Sequence, residues 1–389
     1  MEQIFVFNTI EIAFMGAVSI LFTIQLLYYL VIYARPIRTS ANKMPLASGG
    51  QPPVSVIVYA KNESENLEKY LPSLLTQDYP DYEIIVVNDG STDESDNVLK
   101  AYENEYKHLY HTYIPEDVKY LSRKKLALTV GIKAAKNEIL LFTEANCYPL
   151  SNRWIHAMAK AYQPTTSIVL GYCAYGNHKG FLHKLIAYDN LLSGIQYISS
   201  ALAQHPYTGN GRNLSYTKDL FFKHKGYYKS LNLHAGDDDL FINESASKNN
   251  TIVEYSADSI TEMAKIEYFK IWKEMKVSRA ATRRFYKGKR LMFYRMETMS
   301  FFLFLAFVIA SIIFGIQSNW LITIWGILLY IILFITKAAI LHKSAKLLQQ
   351  KPLTGWLPFI EIVQPIFNLY VRIYRIFRGK NDYTFRLGK

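Results

Sequence analysis

Three carboxylates stand in a row at Asp237, Asp238 and Asp239, directly before the apolar pair Leu240-Phe241. Side by side they repel one another. At least one is expected to hold its proton more tightly than an ordinary aspartate, which suits a general base. Asp239 is expected to cap a helix beginning at Leu240. A second acidic stretch, Asn88-Asp89-Gly90-Ser91-Thr92-Asp93, follows the apolar run 83–87. A carboxylate there can accept hydrogen bonds from a base or a ribose. It repels bare phosphate unless a cation lies between them. A third stretch, Gly209-Asn210-Gly211-Arg212-Asn213, is small and polar, and its glycines allow a close backbone approach.

The elements that must position these groups are legible. Residues 54–58 and 83–87 are short apolar runs rich in β-branched residues, the pattern of buried parallel strands. A helix is predicted between them over 66–75, ended by Gln77-Asp78-Tyr79-Pro80. Alternation continues with a helix over 95–105, strands over 110–114, 138–143 and 167–172, and helices over 124–135 and 154–162. Residues 53–262 therefore read as one α/β domain. In open parallel sheets ligands bind beyond the carboxyl ends of the strands, where Asp89 falls.

The rest of the chain is organised around membrane. Half of the 389 residues are hydrophobic, yet the formal net charge is +12. Residues 10–33 are long and apolar enough to span a bilayer, and residues 1–37 read as a retained membrane helix because Arg35 and Arg38 follow it without a cleavage site. Residues 38–52 read as a linker. Residues 263–297 are strongly basic, with Ile266, Phe269, Trp272, Met275 and Arg279 at helical spacing, and are expected to lie at a membrane surface. A membrane hairpin is expected over 298–341, then an interfacial or re-entrant segment and basic tail over 342–389. The flanking cations place the α/β domain in the cytoplasm of a multi-pass protein of the inner or cell membrane. The basic charge sits beside the apolar segments, which fits anionic lipid headgroups rather than nucleic acid. Cys147 and Cys173 form no CxxC pair, so neither a disulfide framework nor a cysteine zinc site is expected.

Five ordered stretches carry a resemblance: SVIVYAKNES (55–64), DYPDYEIIVVNDGSTDES (78–95), KKLALTVGIKAAKNEILLFTEANCYP (124–149), TGNGRNLSY (208–216) and GDDDLF (236–241). Together they resemble the membrane-bound family-two inverting glycosyltransferases, related to cellulose and hyaluronan synthases. The resemblance implies a GT-A fold, Rossmann-like with a mixed, mostly parallel sheet, between N- and C-terminal transmembrane helices. It implies a nucleoside diphosphate sugar as donor, UDP-sugar first, held by Ala60, Asn62, Glu63, Asp89 and Ser91. Lys124 or Lys125 would offset the diphosphate charge. Gly209 and Asn210 would face the acceptor, a lipid-linked glycan or other membrane-proximal hydroxyl in cell-envelope or polysaccharide synthesis. Asp238 would be the catalytic base, with Asp237 second.

Two positions depart from the family. Glu144-Ala145-Asn146 replaces the usual Asp-x-Asp, so Glu144 and Asn146 present one negative charge where two commonly bind Mg²⁺ or Mn²⁺. Arg284-Phe285 retains only part of a Gln-x-x-Arg-Trp motif, with Ala281 at the Gln position. Arg284 would meet the diphosphate and Phe285 the acceptor sugar. The missing Gln and Trp, and the few spans, argue against a processive polymer synthase. Two other classes remain on sequence alone: a nucleotide-sugar-binding membrane protein without turnover, suggested by Glu144-Ala145-Asn146, and a transporter, for which Glu361 and Pro365 are weak hints.

Overall fold

The computed structural model describes residues 7–39, 50–115 and 122–378. Most of the expected linker, and the tail beyond Arg378, lie outside the described residues. The described residues hold ten strands: β1 (Val54–Ala60), β2 (Tyr82–Asn88), β3 (Leu109–Tyr113), β4 (Ile139–Glu144), β5 (Cys147–Pro149), β6 (Ile168–Leu170), β7 (Cys173–Tyr175), β8 (Leu214–Thr217), β9 (Thr251–Val253) and β10 (Thr261–Met263). The helices run from α1 (Thr9–Leu27), α2 (Arg35–Arg38), α3 (Ser64–Leu75), α4 (Ser95–Glu105), α5 (Arg123–Ala134) and α6 (Trp154–Lys160) to α7 (Phe181–Leu202) and α8 (Lys218–Lys223). They end with α9 (Asp239–Ser245), α10 (Phe269–Thr282), α11 (Arg290–Gln317), α12 (Trp320–Leu347) and α13 (Leu357–Phe377).

Seven strands form a mixed sheet in the order β3-β2-β1-β4-β8-β6-β9, and β5-β10-β7 form a smaller one. β1, β2, β3 and β4 run parallel, while β8 is antiparallel to both β4 and β6. The apolar runs of β1 and β2 are buried on both faces, as an inner parallel strand requires. Register then sets the site. Ala60 pairs with Asn88, and Tyr59 pairs with Glu144, so three strands end along one carboxyl edge. Gly131 brings α5 against this sheet: a Cβ there would lie 2.9 Å from Ile57 and 3.0 Å from Val87. That close approach carries Lys124, in the first turn of α5, to the strand ends.

Helices α1, α11 and α12 are three helices long and apolar enough to cross a membrane, by length and composition. They share a small core of Val18, Phe304, Val308, Leu329 and Leu333. Their outer faces leave Ile309, Ile313, Ile331 and Ile335 exposed, an arrangement suited to lipid rather than water. Where α12 meets α13, the buried Lys337 lies 3.5 Å from Glu361 and 3.3 Å from the Phe301 ring centre.

The basic segment differs from expectation in one respect. Its aromatic face is not turned to lipid throughout: Trp272 is buried and stacks on Phe367 of α13 at 4.5 Å. The apolar stretch after residue 353 forms the single helix α13, which supplies that partner surface. Tyr268, Phe269 and Ile271 stay exposed beside it.

Candidate active site

The loops after β1 and β2 are tied to each other. Asn62, in the left-handed region at φ 52°, donates its amide to Ser91 Oγ at 2.8 Å, and its side chain accepts from the Thr92 amide. The Asp89 amide donates to the Ala60 carbonyl, and the Glu63 amide to Ser95 Oγ. Burial pushes the Glu63 carboxyl above the usual range, against a hydrogen bond from Asn66. Asp89 is only 1% exposed. One oxygen accepts from Arg123 Nε at 2.7 Å and the other from the Tyr59 hydroxyl at 2.7 Å. Both oxygens of Asp89, expected from the sequence to hold the nucleoside, are thus engaged within the loop network. What it does is fix Tyr59 and Arg123.

The two lysines of α5 part company. Lys124 Nζ lies 2.6 Å from Glu144 Oε1 and 3.0 Å from Asp237 Oδ2. Burial opposes its charge, but Asp237 and Glu144 hold it above the ordinary lysine value. Lys125 is fully buried and donates to the carbonyls of Ser230, Leu233 and Ala235. The expectation that Lys125 meets the donor is corrected: successive helical residues point about 100° apart, and its direction is into the loop before the triple aspartate.

That loop turns at Gly236, where φ is 100° and a Cβ would meet Leu240 at 2.6 Å. The three aspartates then diverge. Asp237 is buried against Lys124. Asp238 is the N-cap of α9, the position expected for Asp239. Its Oδ2 accepts the Gly211 amide at 2.9 Å and its Oδ1 the Asp239 amide at 2.6 Å. It keeps 18% of its side chain exposed to the cleft, with Arg279 Nη2 at 3.9 Å. Asp239 is buried and accepts from Thr282 and from the Tyr286 hydroxyl. Burial and then Asp238 push its carboxyl up to about 6. The raised group is thus Asp239.

Gly209 and Asn210 are buried in the strand-leading loop. A Cβ on Gly209 would meet Ile242 at 3.1 Å. Asn210 Oδ1 accepts the Arg212 amide, and Asn213 clamps the loop end by accepting from Trp154 Nε1 and donating to the carbonyls of Tyr172 and Ser259. Arg212 Nε consequently reaches Glu144 Oε2 at 2.8 Å, an ion pair without hydrogen-bond alignment. Burial raises the Glu144 carboxyl, but Arg212 and Lys124 outweigh it and hold it at about 2.

These contacts decide how a divalent cation would fit. Both Glu144 oxygens face cations. Asn146 is neutral, and its Oδ1 accepts from the Cys147 thiol. Among the described residues no three of His, Cys, Asp and Glu group to hold a metal. The residues present at Glu144 and Asn146 do not make the oxygen-rich set that Mg²⁺ or Mn²⁺ requires.

Arg284 and Phe285 are exposed and pack on each other at 4.9 Å, outside the cleft. Arg279 and Arg283 line it instead, with Arg212. The sequence signals existed: Arg212 lies inside TGNGRNLSY, and Arg279 is on the spaced face of the basic helix. Reading that face as lipid-facing hid Arg279, and Arg283 differs from Arg284 only by helix phase.

Residues 55–221 match the glycosyl transferase family 2 domain. The glycosyltransferase AglE of Haloferax volcanii is 33% identical over 106 residues, covering 27% of this chain and 33% of the relative. A poly-beta-1,6-N-acetyl-D-glucosamine synthase of Staphylococcus epidermidis is 29% identical over 131 residues, covering 33% of this chain and 30% of the relative. The matched stretches span about a third of the length of these relatives. A mannosyltransferase from Pyrobaculum calidifontis, solved with GDP-Man and Mn²⁺, superposes over 94% of this chain and 99% of its own at a TM-score of 0.59 and 17% identity, a likeness of fold.

Proposed function

Residues 55–221 being a glycosyl transferase family 2 domain, we propose that the protein moves a sugar from a nucleoside diphosphate sugar to a hydroxyl of a lipid-linked acceptor, with inversion at the anomeric carbon. The carrying observation is a cavity of about 370 Å³. It runs from Arg212 and Arg279, beside Asp238, to the start of the apolar helix α11. Six cationic side chains line it and one carboxylate, Asp189. Asp189 is already taken by Lys276 at 2.5 Å and Gln364 at 2.7 Å. The Arg295 Nε is buried without a hydrogen-bond partner. Burial, then Arg295 and Arg283, push the Arg372 guanidinium below its ordinary value, so an anion entering here relieves repulsion. Met292, Met299 and Phe302 supply the apolar wall. An anionic headgroup on an apolar chain matches both halves.

In this reading the donor lies across the ends of β1, β2 and β4. Asp238 takes the proton of the acceptor hydroxyl, whose oxygen attacks the anomeric carbon opposite the departing diphosphate. Arginines of the basic segment hold the acceptor at the membrane face, and α1, α11 and α12 anchor the domain on the cytoplasmic side. The Staphylococcus epidermidis relative is named for N-acetylglucosamine polymer synthesis, which is compatible with a cell-envelope role.

The test is transfer of radiolabelled sugar by the full chain in lipid nanodiscs, with a panel of nucleotide sugars and a lipid extract. Label is expected in the organic phase, dependent on Asp238. Label appearing only in water-soluble products would overturn the lipid acceptor. No transfer from any donor would overturn the enzyme.

A further inference from the structure

We propose that Arg212 and Lys124 do the work of a divalent cation: they meet the diphosphate of the donor, and transfer needs no metal. The inference rests on the donor being a nucleoside diphosphate sugar, as read above.

Glu144 ends β4 in register with Tyr59, at the carboxyl edge of the sheet. It is one carboxylate with a cation on each oxygen, Lys124 at 2.6 Å and Arg212 at 2.8 Å. Asn146 adds no charge. With Asp237, 3.0 Å from Lys124, the side chains of Glu144, Asn146, Asp237, Lys124 and Arg212 sum to no net charge. Two carboxylates without these cations would sum to two negative charges, and only a dication could then bring diphosphate close. The substitution of Asn at 146 and the placement of Arg212 compensate each other.

Arg212 is also built to stay. Its carbonyl accepts from the hydroxyls of Thr143 and Thr261, both at 3.2 Å. Its amide donates to Asn210 Oδ1, and the next residue is clamped by Trp154. Only Nε faces Glu144. The terminal nitrogens have no acceptor among the described residues, and they form the part of the fork that binds phosphate oxygens in pairs. The guanidinium both lines the cavity read above as the acceptor's and pairs with Glu144 at the strand end, so it borders the two. A fixed guanidinium needs no reorganisation when charge develops.

The step balances. The bond from the anomeric carbon to the diphosphate oxygen breaks, and its electron pair stays on that oxygen. Arg212 and Lys124 stabilise the added negative charge. The acceptor oxygen forms the new bond, and its proton goes to Asp238. The products are the glycosylated acceptor, the nucleoside diphosphate and a protonated Asp238.

The experiment is titration calorimetry of UDP and GDP onto the purified full chain, in EDTA and again in Mn²⁺, with thermal melting to check folding. The expected result is that the better nucleotide binds equally in both buffers. Arg212→Gln is expected to weaken it by roughly ten-fold or more, the range for a lost hydrogen bond between charged groups, and Arg212→Lys to recover part. Binding seen only with Mn²⁺ overturns the inference and leaves the donor reading standing. Undiminished binding by a folded Arg212→Gln overturns it too. If that variant does not fold, the comparison of EDTA with Mn²⁺ on the natural protein decides. Failure of both nucleotides in both buffers removes the donor reading and this inference with it.

Discussion

The Gly211 amide donates to Asp238 Oδ2 at 2.9 Å, across 27 residues of sequence. This bond joins the glycine loop to the triple aspartate and aims one carboxylate into the cleft. Asp237 is held by Lys124 and Asp239 by Thr282 and Tyr286, which leaves Asp238 as the proposed base. Asp238→Asn is expected to lower kcat by about 10²- to 10⁴-fold with little change in donor binding. Steady-state transfer kinetics beside nucleotide titration check this. Equal turnover by the variant would remove Asp238 as base.

Asp239 should leave a pH signature on stability. Its folded pKa is raised to about 6 by burial and Asp238. The stabilising effect of its proton is fully present below the unfolded value near 3.8 and is lost as pH rises through about 6. Asp239→Asn should flatten that part of the melting-temperature profile while keeping an acceptor for Thr282 and Tyr286. An unchanged slope between these pH values would show the shift to be absent.

Gly131 should not tolerate a side chain. A methyl there meets Ile57 and Val87 at 2.9 and 3.0 Å, and both are core atoms of the sheet. Gly131→Ala is expected to cost about 1–3 kcal/mol, as overpacking does, and to shift Lys124 at the head of the same helix. Reduced melting temperature together with weaker nucleotide binding is the expected pair. Unaltered melting would mean that α5 can move outward freely.

Lys337 and Glu361 should depend on each other. Both are buried, 3.5 Å apart. Removing one leaves a buried charge without its partner, so Lys337→Met is expected to cost roughly 3–5 kcal/mol. The double change Lys337→Met with Glu361→Leu should recover part of it, because the buried Glu297 also faces Lys337. Unfolding in detergent measures both, and a double variant no more stable than the single one would show that the pair is not coupled.

Local pattern was enough for the frame. The β-branched runs became β1 and β2, residues 95–105 became α4 without a shift of either end, and three long apolar stretches became α1, α11 and α12. Burial on two faces, helical period and bilayer length are properties of neighbouring residues, so the chain determines them by itself. The choice between adjacent side chains was different. Lys124 or Lys125, Arg283 or Arg284, and which of Asp237, Asp238 and Asp239 faces the cleft were decided only on folding. Helix phase and long-range partners set these directions, and the Gly211 amide, the Ser230 carbonyl and Arg212 all come from distant sequence. The same holds for Glu144: its type was readable, but its two counter-cations were assembled by the sheet register and the Asn213 clamp, and electrostatics depends on distance in space rather than along the chain.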